Sequence, residues 1–151
     1  MDSDPRTGVL AAIPHRPPFL FVDRVLERTD QRIVTEWDVP RDLAVFQGHF
    51  PGEPVLPGVL TSEFCFQSAA ILFSAESSEG QRGLPVLTRI EDARFRRVVL
   101  PGERLRCELE LVERIANARY CKARVSCADE SVLRIAFTVA LLARERTGGS
   151  A

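Results

Sequence analysis

The residues able to do chemistry crowd into one stretch, GHFPGEPVLPGVLTSEFCF, residues 48–66. His49, one of only two histidines, lies just before Phe50-Pro51-Gly52, where proline and glycine restrict the backbone and so aim the imidazole. A rigidly held imidazole is a natural general base. Glu63 is the only acid between Glu53 and Glu76, and its neighbours are Leu60, Phe64, Cys65 and Phe66. A carboxylate buried without a partner holds its proton, which is the state a general acid needs. Between them, Pro57-Gly58 opens a helix, offering bare backbone N–H groups to a developing oxyanion and no side chain to block a substrate. Base, oxyanion donor and acid in this order suit proton abstraction beside a carbonyl with loss of a β-substituent. Plainer readings exist for each group: a loop histidine on the surface, and a glutamate favoured in an early helical turn by the helix dipole. Position alone leaves them open.

The elements that must carry these groups are legible from periodicity. In LRCELELVER, Leu105, Cys107, Leu109 and Leu111 alternate with Arg106, Glu108 and Glu110, a strand with one wet face. YCKARVSCA repeats the pattern, and LRIAFTVALLA carries less charge on its second face, as a more central strand would. Short polar turns between the three predict an antiparallel meander. FLFVDRVLER, QRIVTEWDV and LTRIEDARFRRVV read as three further strands. The one convincing helix, 58–76, is apolar nearly all round, as a helix wrapped by a sheet must be, and Ser62, Ser68, Ala69 and Ala70 let backbone and sheet approach. The fold class expected is α+β, one curved antiparallel sheet around one central helix.

Size and composition allow one domain over residues 1–151, with 1–7 and 147–151 read as disordered ends. A net charge of -1 gives no general pull toward nucleic acid or membrane. Residues 54–75 are long and weakly charged, but Thr61, Ser62, Gln67, Ser68 and Ser74 argue for burial in protein rather than a membrane span. Cys65, Cys107, Cys121 and Cys127 show no metal-ligand spacing, so free thiols in a cytoplasmic protein are expected.

Three segments, IPHRPPFLFVDRV (13–25), FQGHFPGEPVLPGVLTSE (46–63) with Gln67 beyond, and DARFRRVVLPGERL (92–105), resemble the FabZ-type 3-hydroxyacyl-[acyl-carrier-protein] dehydratases in order and spacing. The resemblance implies a hot-dog fold and a homodimer with shared active sites, or a trimer of such dimers. It implies that His49 takes the C2 proton of a 3-hydroxyacyl thioester and that Glu63 of the other subunit protonates the departing C3 hydroxyl. Gly58 would bind the thioester carbonyl, with Phe50, Pro57, Val59, Phe64, Phe66 and Gln67 around the substrate. No metal or redox cofactor is implied, because the substrate arrives on the phosphopantetheine arm of acyl carrier protein. Carrier proteins are acidic, and Arg94, Arg96 and Arg97, with Arg16 or Arg104, are candidates for a local basic patch. His15, in the family's PHR motif, reads as a structural turn residue.

The chain departs from the family at EFCFQSAAI, where small residues are usual and Phe64 and Phe66 are bulky. They bear on the acyl tunnel or the subunit contact, and so on substrate choice. PGEP replaces PGHP, and CADES replaces a VDG-type turn. Lys122 is the only lysine, which fits an arginine-rich, GC-rich bacterial background where specialised polyketide or polyene pathways keep extra dehydratases. The competing readings are a non-catalytic or heteromeric hot-dog subunit that binds acyl chains, and a hot-dog thioesterase.

Overall fold

The computed structural model describes residues 4, 6–76 and 84–142. In chain order these form α1 (Thr7–Ala12), β1 (Arg24–Arg28), β2 (Arg32–Asp38), a 3-10 turn (Ala44–Gln47), α2 (Gly58–Phe73), a second 3-10 turn (Ser74–Glu76), β3 (Leu84–Phe95), β4 (Arg104–Ile115), β5 (Ala118–Cys127) and β6 (Glu130–Leu142). The six strands make one sheet in the order β1-β2-β4-β5-β6-β3, with every neighbouring pair antiparallel. The alternation of sequence becomes the two faces of this sheet. Leu105, Cys107 and Leu109 of β4, Ala123 and Val125 of β5, and Leu133, Ile135 and Phe137 of β6 are buried, while Lys122 and Arg124 face water. As expected of its weakly charged second face, β6 lies inside the sheet, between β5 and β3.

Helix α2 packs against strands β2 to β6, and eleven of its residues, from Thr61 to Phe73, are buried. With 3-10 turn Ser74–Glu76 it is long and apolar enough by composition to cross a bilayer, and the sheet around it accounts for that composition. Ser68 is fully buried because its hydroxyl has two partners: it lies 2.7 Å from the Thr35 hydroxyl and donates to the Phe64 carbonyl at 2.8 Å. Such a bond needs short side chains on both elements. Cys65 on α2 and Cys107 on β4 approach to 4.0 Å between sulfurs, and all four cysteines are free and buried. Burial pushes the Cys121 thiol up to about 12, so this sulfur stays protonated and packs as a small apolar group. The architecture is the hot-dog fold.

Three expectations need correction. The helix ends at Phe73 and tightens into a 3-10 turn, where the sequence reading continued it to residue 76. The strand expected from Phe19 begins only at Arg24, because Gln67 occupies the backbone before it: Phe21 N–H donates to Oε1 at 2.8 Å, and Nε2 donates to the Phe19 carbonyl at 3.1 Å. A side chain has replaced the ladder. The short helix α1 was missed; it starts at Thr7, within the expected disordered end, and buries Val9. Residues 147–151, also expected to be disordered, lie outside the described residues.

Candidate active site

The loop between the first 3-10 turn and α2 carries His49, and its backbone bonds hold it closed. Phe50 N–H donates to the Glu53 carbonyl at 3.2 Å, Glu53 N–H to the Phe50 carbonyl at 3.0 Å, and Val55 N–H to the His49 carbonyl at 3.0 Å. Gly52 makes the turn at φ +80°, which a glycine adopts without strain. The His49–Phe50 peptide is cis, and the two rings stack with centroids 4.1 Å apart. His49 Nδ1 lies 2.9 Å from the Val55 carbonyl oxygen. A carbonyl only accepts, so Nδ1 carries a proton, and in the neutral form of the ring Nε2 is the nitrogen that presents its lone pair. The loop thus fixes the tautomer a general base requires.

Glu63 sits on α2 with its side chain one-fifth exposed. Gln67, one turn on, donates from Nε2 to Glu63 Oε1 at 3.3 Å, and His15 Nε2 stands 3.9 Å from the same oxygen. Burial pushes the Glu63 carboxyl above the ordinary carboxylate range, against a smaller opposing pull from the Gln67 hydrogen bond. The shift favours the protonated carboxyl, the direction a general acid needs. This raised value has a consequence for stability. The folded state favours neutral Glu63, so its contribution is fully present below the unfolded value and is lost as pH rises through the folded one. Glu63→Gln is therefore expected to raise the melting temperature at pH 8, with the gain shrinking toward pH 4, in thermal melts of both proteins.

Gly58 is the first residue of α2, so its N–H has no partner within the helix. A Cβ there would stand 2.8 Å from Cε1 of Phe95, whose ring covers the helix start. Phe95 escaped the sequence reading because it approaches from β3, and nothing in FRR announces that pairing. Phe50 and Val59 are exposed, at 54 % and 74 %, and Pro57 is half-buried beside them. Phe66 is half-buried and meets Phe137 edge-on at 4.9 Å. An open groove of about 610 Å³ lined by Arg41, Glu53, Pro54, Val55, Leu100 and Pro101 borders the His49 loop.

The structure corrects part of the expected substrate contacts. Phe64 is wholly buried, 6.0 Å ring to ring from Trp37, because its turn of α2 faces the sheet. Gln67 is also fully buried, with both ends of its amide spent on Phe19, Phe21 and Glu63. Neither side chain is exposed at the surface of the protomer. The basic patch is thinner than its residue types imply. Arg97 is bidentate on Glu103, at 2.7 and 3.2 Å, and 3.1 Å from Glu130; Arg94 is bound to Asp92 and Arg104 to Asp38. Arg16 donates to the carbonyls of Leu10, Ile13 and His15. Arg96 is exposed and has no ion pair among the described residues, so of the three β3-end arginines it alone carries uncompensated charge.

Within one protomer no hydrogen bond or ion pair joins His49 to Glu63 among the described residues. His49 and Glu63 lie on one short segment but face different surroundings, the Val55 carbonyl for one and the His15–Gln67 side for the other.

The FabA-like domain family matches residues 13–136, a span that holds the His49 loop, Gly58 and Glu63. The 3-hydroxyacyl-[acyl-carrier-protein] dehydratase FabZ of Anaeromyxobacter dehalogenans (strain 2CP-1) is 42% identical over 143 residues, covering 92% of this chain and 91% of that protein. The FabZ of Symbiobacterium thermophilum is 46% identical over 101 residues, covering 66% of this chain and 70% of its own. Among solved structures, the dehydratase heterocomplex ApeI:P from Xenorhabdus doucetiae superposes with a TM-score of 0.75 at 19% identity, over 88% of this chain and 90% of that one. A hypothetical thioesterase with coenzyme A from Streptococcus pneumoniae superposes at 0.63 and 12% identity, over 80% and 88%, so the fold by itself does not choose between chemistries. The family match across the site and the identity across nearly the whole chain do choose: this chain belongs to the FabA-like family.

Proposed function

We propose that the protein is a 3-hydroxyacyl-[acyl-carrier-protein] dehydratase, converting a (3R)-3-hydroxyacyl thioester to the trans-2-enoyl thioester in fatty-acid or specialised polyketide or polyene synthesis. The observation that carries the reading is one short segment that joins His49, its Nδ1 bound to the Val55 carbonyl, to Gly58, whose N–H has no partner within the helix, and to Glu63, whose carboxyl is pushed up by burial. His49 Nε2 removes the C2 proton, the Gly58 N–H stabilises the enolate oxygen of the thioester, and Glu63 gives its proton to the C3 hydroxyl, which leaves as water. The chemistry calls for no cofactor beyond the substrate's own phosphopantetheine arm, and the carrier protein is the partner, met near Arg96. Free, buried thiols fit a cytoplasmic protein.

The site is completed by a second copy of the chain. Among the described residues strand β3 is a sheet edge with no strand beyond it, yet it exposes Val86, Ile90 and Phe95, at 40 %, 50 % and 52 %. A long apolar edge left bare is an aggregation hazard, and pairing with its symmetry mate removes it. The same pairing supports a base and an acid drawn from different protomers.

The test is direct. Purified protein given 3-hydroxyacyl carrier protein is expected to equilibrate it with the trans-2-enoyl form, read by mass spectrometry and by enoyl absorbance. Release of free carrier thiol without enoyl product would instead establish a thioesterase. Absence of both reactions, with enoyl formation appearing only beside a second hot-dog subunit, would establish the heteromeric reading.

A further inference from the structure

His15 is an anomaly that neither turn structure nor the assigned chemistry explains. Its ring is mostly buried, and Nδ1 is a buried polar atom with no hydrogen-bond partner. Buried polar groups are nearly always satisfied, and each exception needs a reason. The backbone that carries the ring is also held. Arg16 donates to the carbonyls on either side of the segment, at Leu10, Ile13 and His15 itself, Phe19 N–H closes onto the Arg16 carbonyl at 2.9 Å, and Ile13 anchors the segment in the core. What this framework aims is Nε2, 3.9 Å from Oε1 of Glu63.

A neutral imidazole has one N–H and one bare nitrogen. An orphaned N–H is rarer in protein interiors than an under-used acceptor, so the bare nitrogen is the isolated Nδ1 and the proton is on Nε2, facing the carboxyl. Burial and the Arg16 charge both push His15 below its ordinary value, which keeps the ring neutral. We infer that His15 is a positioning residue whose Nε2–H, with the Gln67 amide, receives the negative charge that appears on Glu63 when its proton passes to the leaving hydroxyl. The gap of 3.9 Å closes by a small tilt of the ring once the carboxylate forms, so the bond is strongest in the transition state and after it. The groups bearing on Glu63 are Gln67 and Cys65 on its own helix, His15 on the segment before β1, itself under the charge of Arg16, and, in the proposed dimer, the partner subunit's His49.

This inference rests on Glu63 being the acid, so Glu63→Gln is assayed in parallel. His15→Phe removes the donor and keeps the site dry. The expected result is a kcat lower by about 10- to 100-fold, the usual cost of removing a supporting partner, with KM within about twofold. The alkaline limb of the pH profile of kcat/KM, set by loss of the Glu63 proton, moves to higher pH because the carboxylate has lost a donor. His15→Gln, which returns an N–H near the Nε2 position, restores most of the rate and the limb. Should His15→Phe not fold, His15→Leu makes the same comparison. An unchanged kcat, a limb that stays or moves down as local opening to water would move it, or a Gln variant no better than Phe would overturn the role of His15. A fully active Glu63→Gln would overturn the acid assignment itself, and this inference with it; an inactive Glu63→Gln beside a fully active His15→Phe would remove only His15.

Discussion

Mixed subunits of His49→Ala and Glu63→Gln are expected to recover activity that neither variant has alone. A positioned acid or base contributes about 10²- to 10⁴-fold, so each variant by itself should lose a factor in that range while keeping its fold and oligomeric state. His49 is held by a side-chain bond to Val55, and truncating it leaves the loop's own backbone bonds in place; Glu63→Gln is isosteric and removes a buried acid. The two roles fail separately. If each site takes its base from one protomer and its acid from the other, a hybrid dimer has one site with both groups replaced and one with both intact. Random reassortment makes half the dimers hybrid, so the mixture should reach about a quarter of wild-type activity. Subunits co-refolded or co-expressed with different tags, with hybrids isolated by sequential affinity steps, give the measurement. A hybrid as inactive as its parents would place base and acid within one chain and remove the shared site.

The second large effect is on stability. Phe64→Ala should cost about 3–5 kcal/mol in urea unfolding, the range for emptying a well-packed aromatic site, because the ring has no solvent exposure and lies against Trp37. Phe66 is half-buried at a less enclosed position, and Phe66→Ala should cost clearly less. The contrast extends to specificity. A conservative Phe64→Leu is expected to leave the acyl chain-length profile unchanged, since the residue belongs to the protomer core, whereas Phe66→Ala is expected to alter it. A chain-length shift in Phe64→Leu would show that an acyl chain reaches the Trp37 side of α2.

These two phenylalanines mark where reading a sequence stops. Helix α2 is apolar nearly all round, so its periodicity carries no information about which side meets the sheet, and Phe64 and Phe66 look alike as letters. Their difference comes from the sheet that surrounds the helix. The strands of the meander were legible because β4 and β5 alternate buried and more exposed residues with a side-chain period of two, as Cys107 and Val125 do against their neighbours, while β6 shows by its weakly charged second face that it lies inside the sheet. The rigid His49 loop was legible for a similar reason, since proline and glycine act on their own backbone. The first strand was placed too early because Gln67, distant in the chain, satisfies the backbone of Phe19 and Phe21.

The sequence by itself determined the elements, the residue types at the site and the chemistry they permit, because propensity, periodicity and loop rigidity are local properties. Only the tertiary structure decided which charges are free and which groups face each other. It neutralised Arg97 against Glu103 and Glu130, laid Phe95 over Gly58, and set His15 beside Glu63. The physical reason is that an ion pair, a close contact and a raised carboxyl each depend on distances across the fold, and residues far apart in the chain fix no distance until the sheet has closed around its helix.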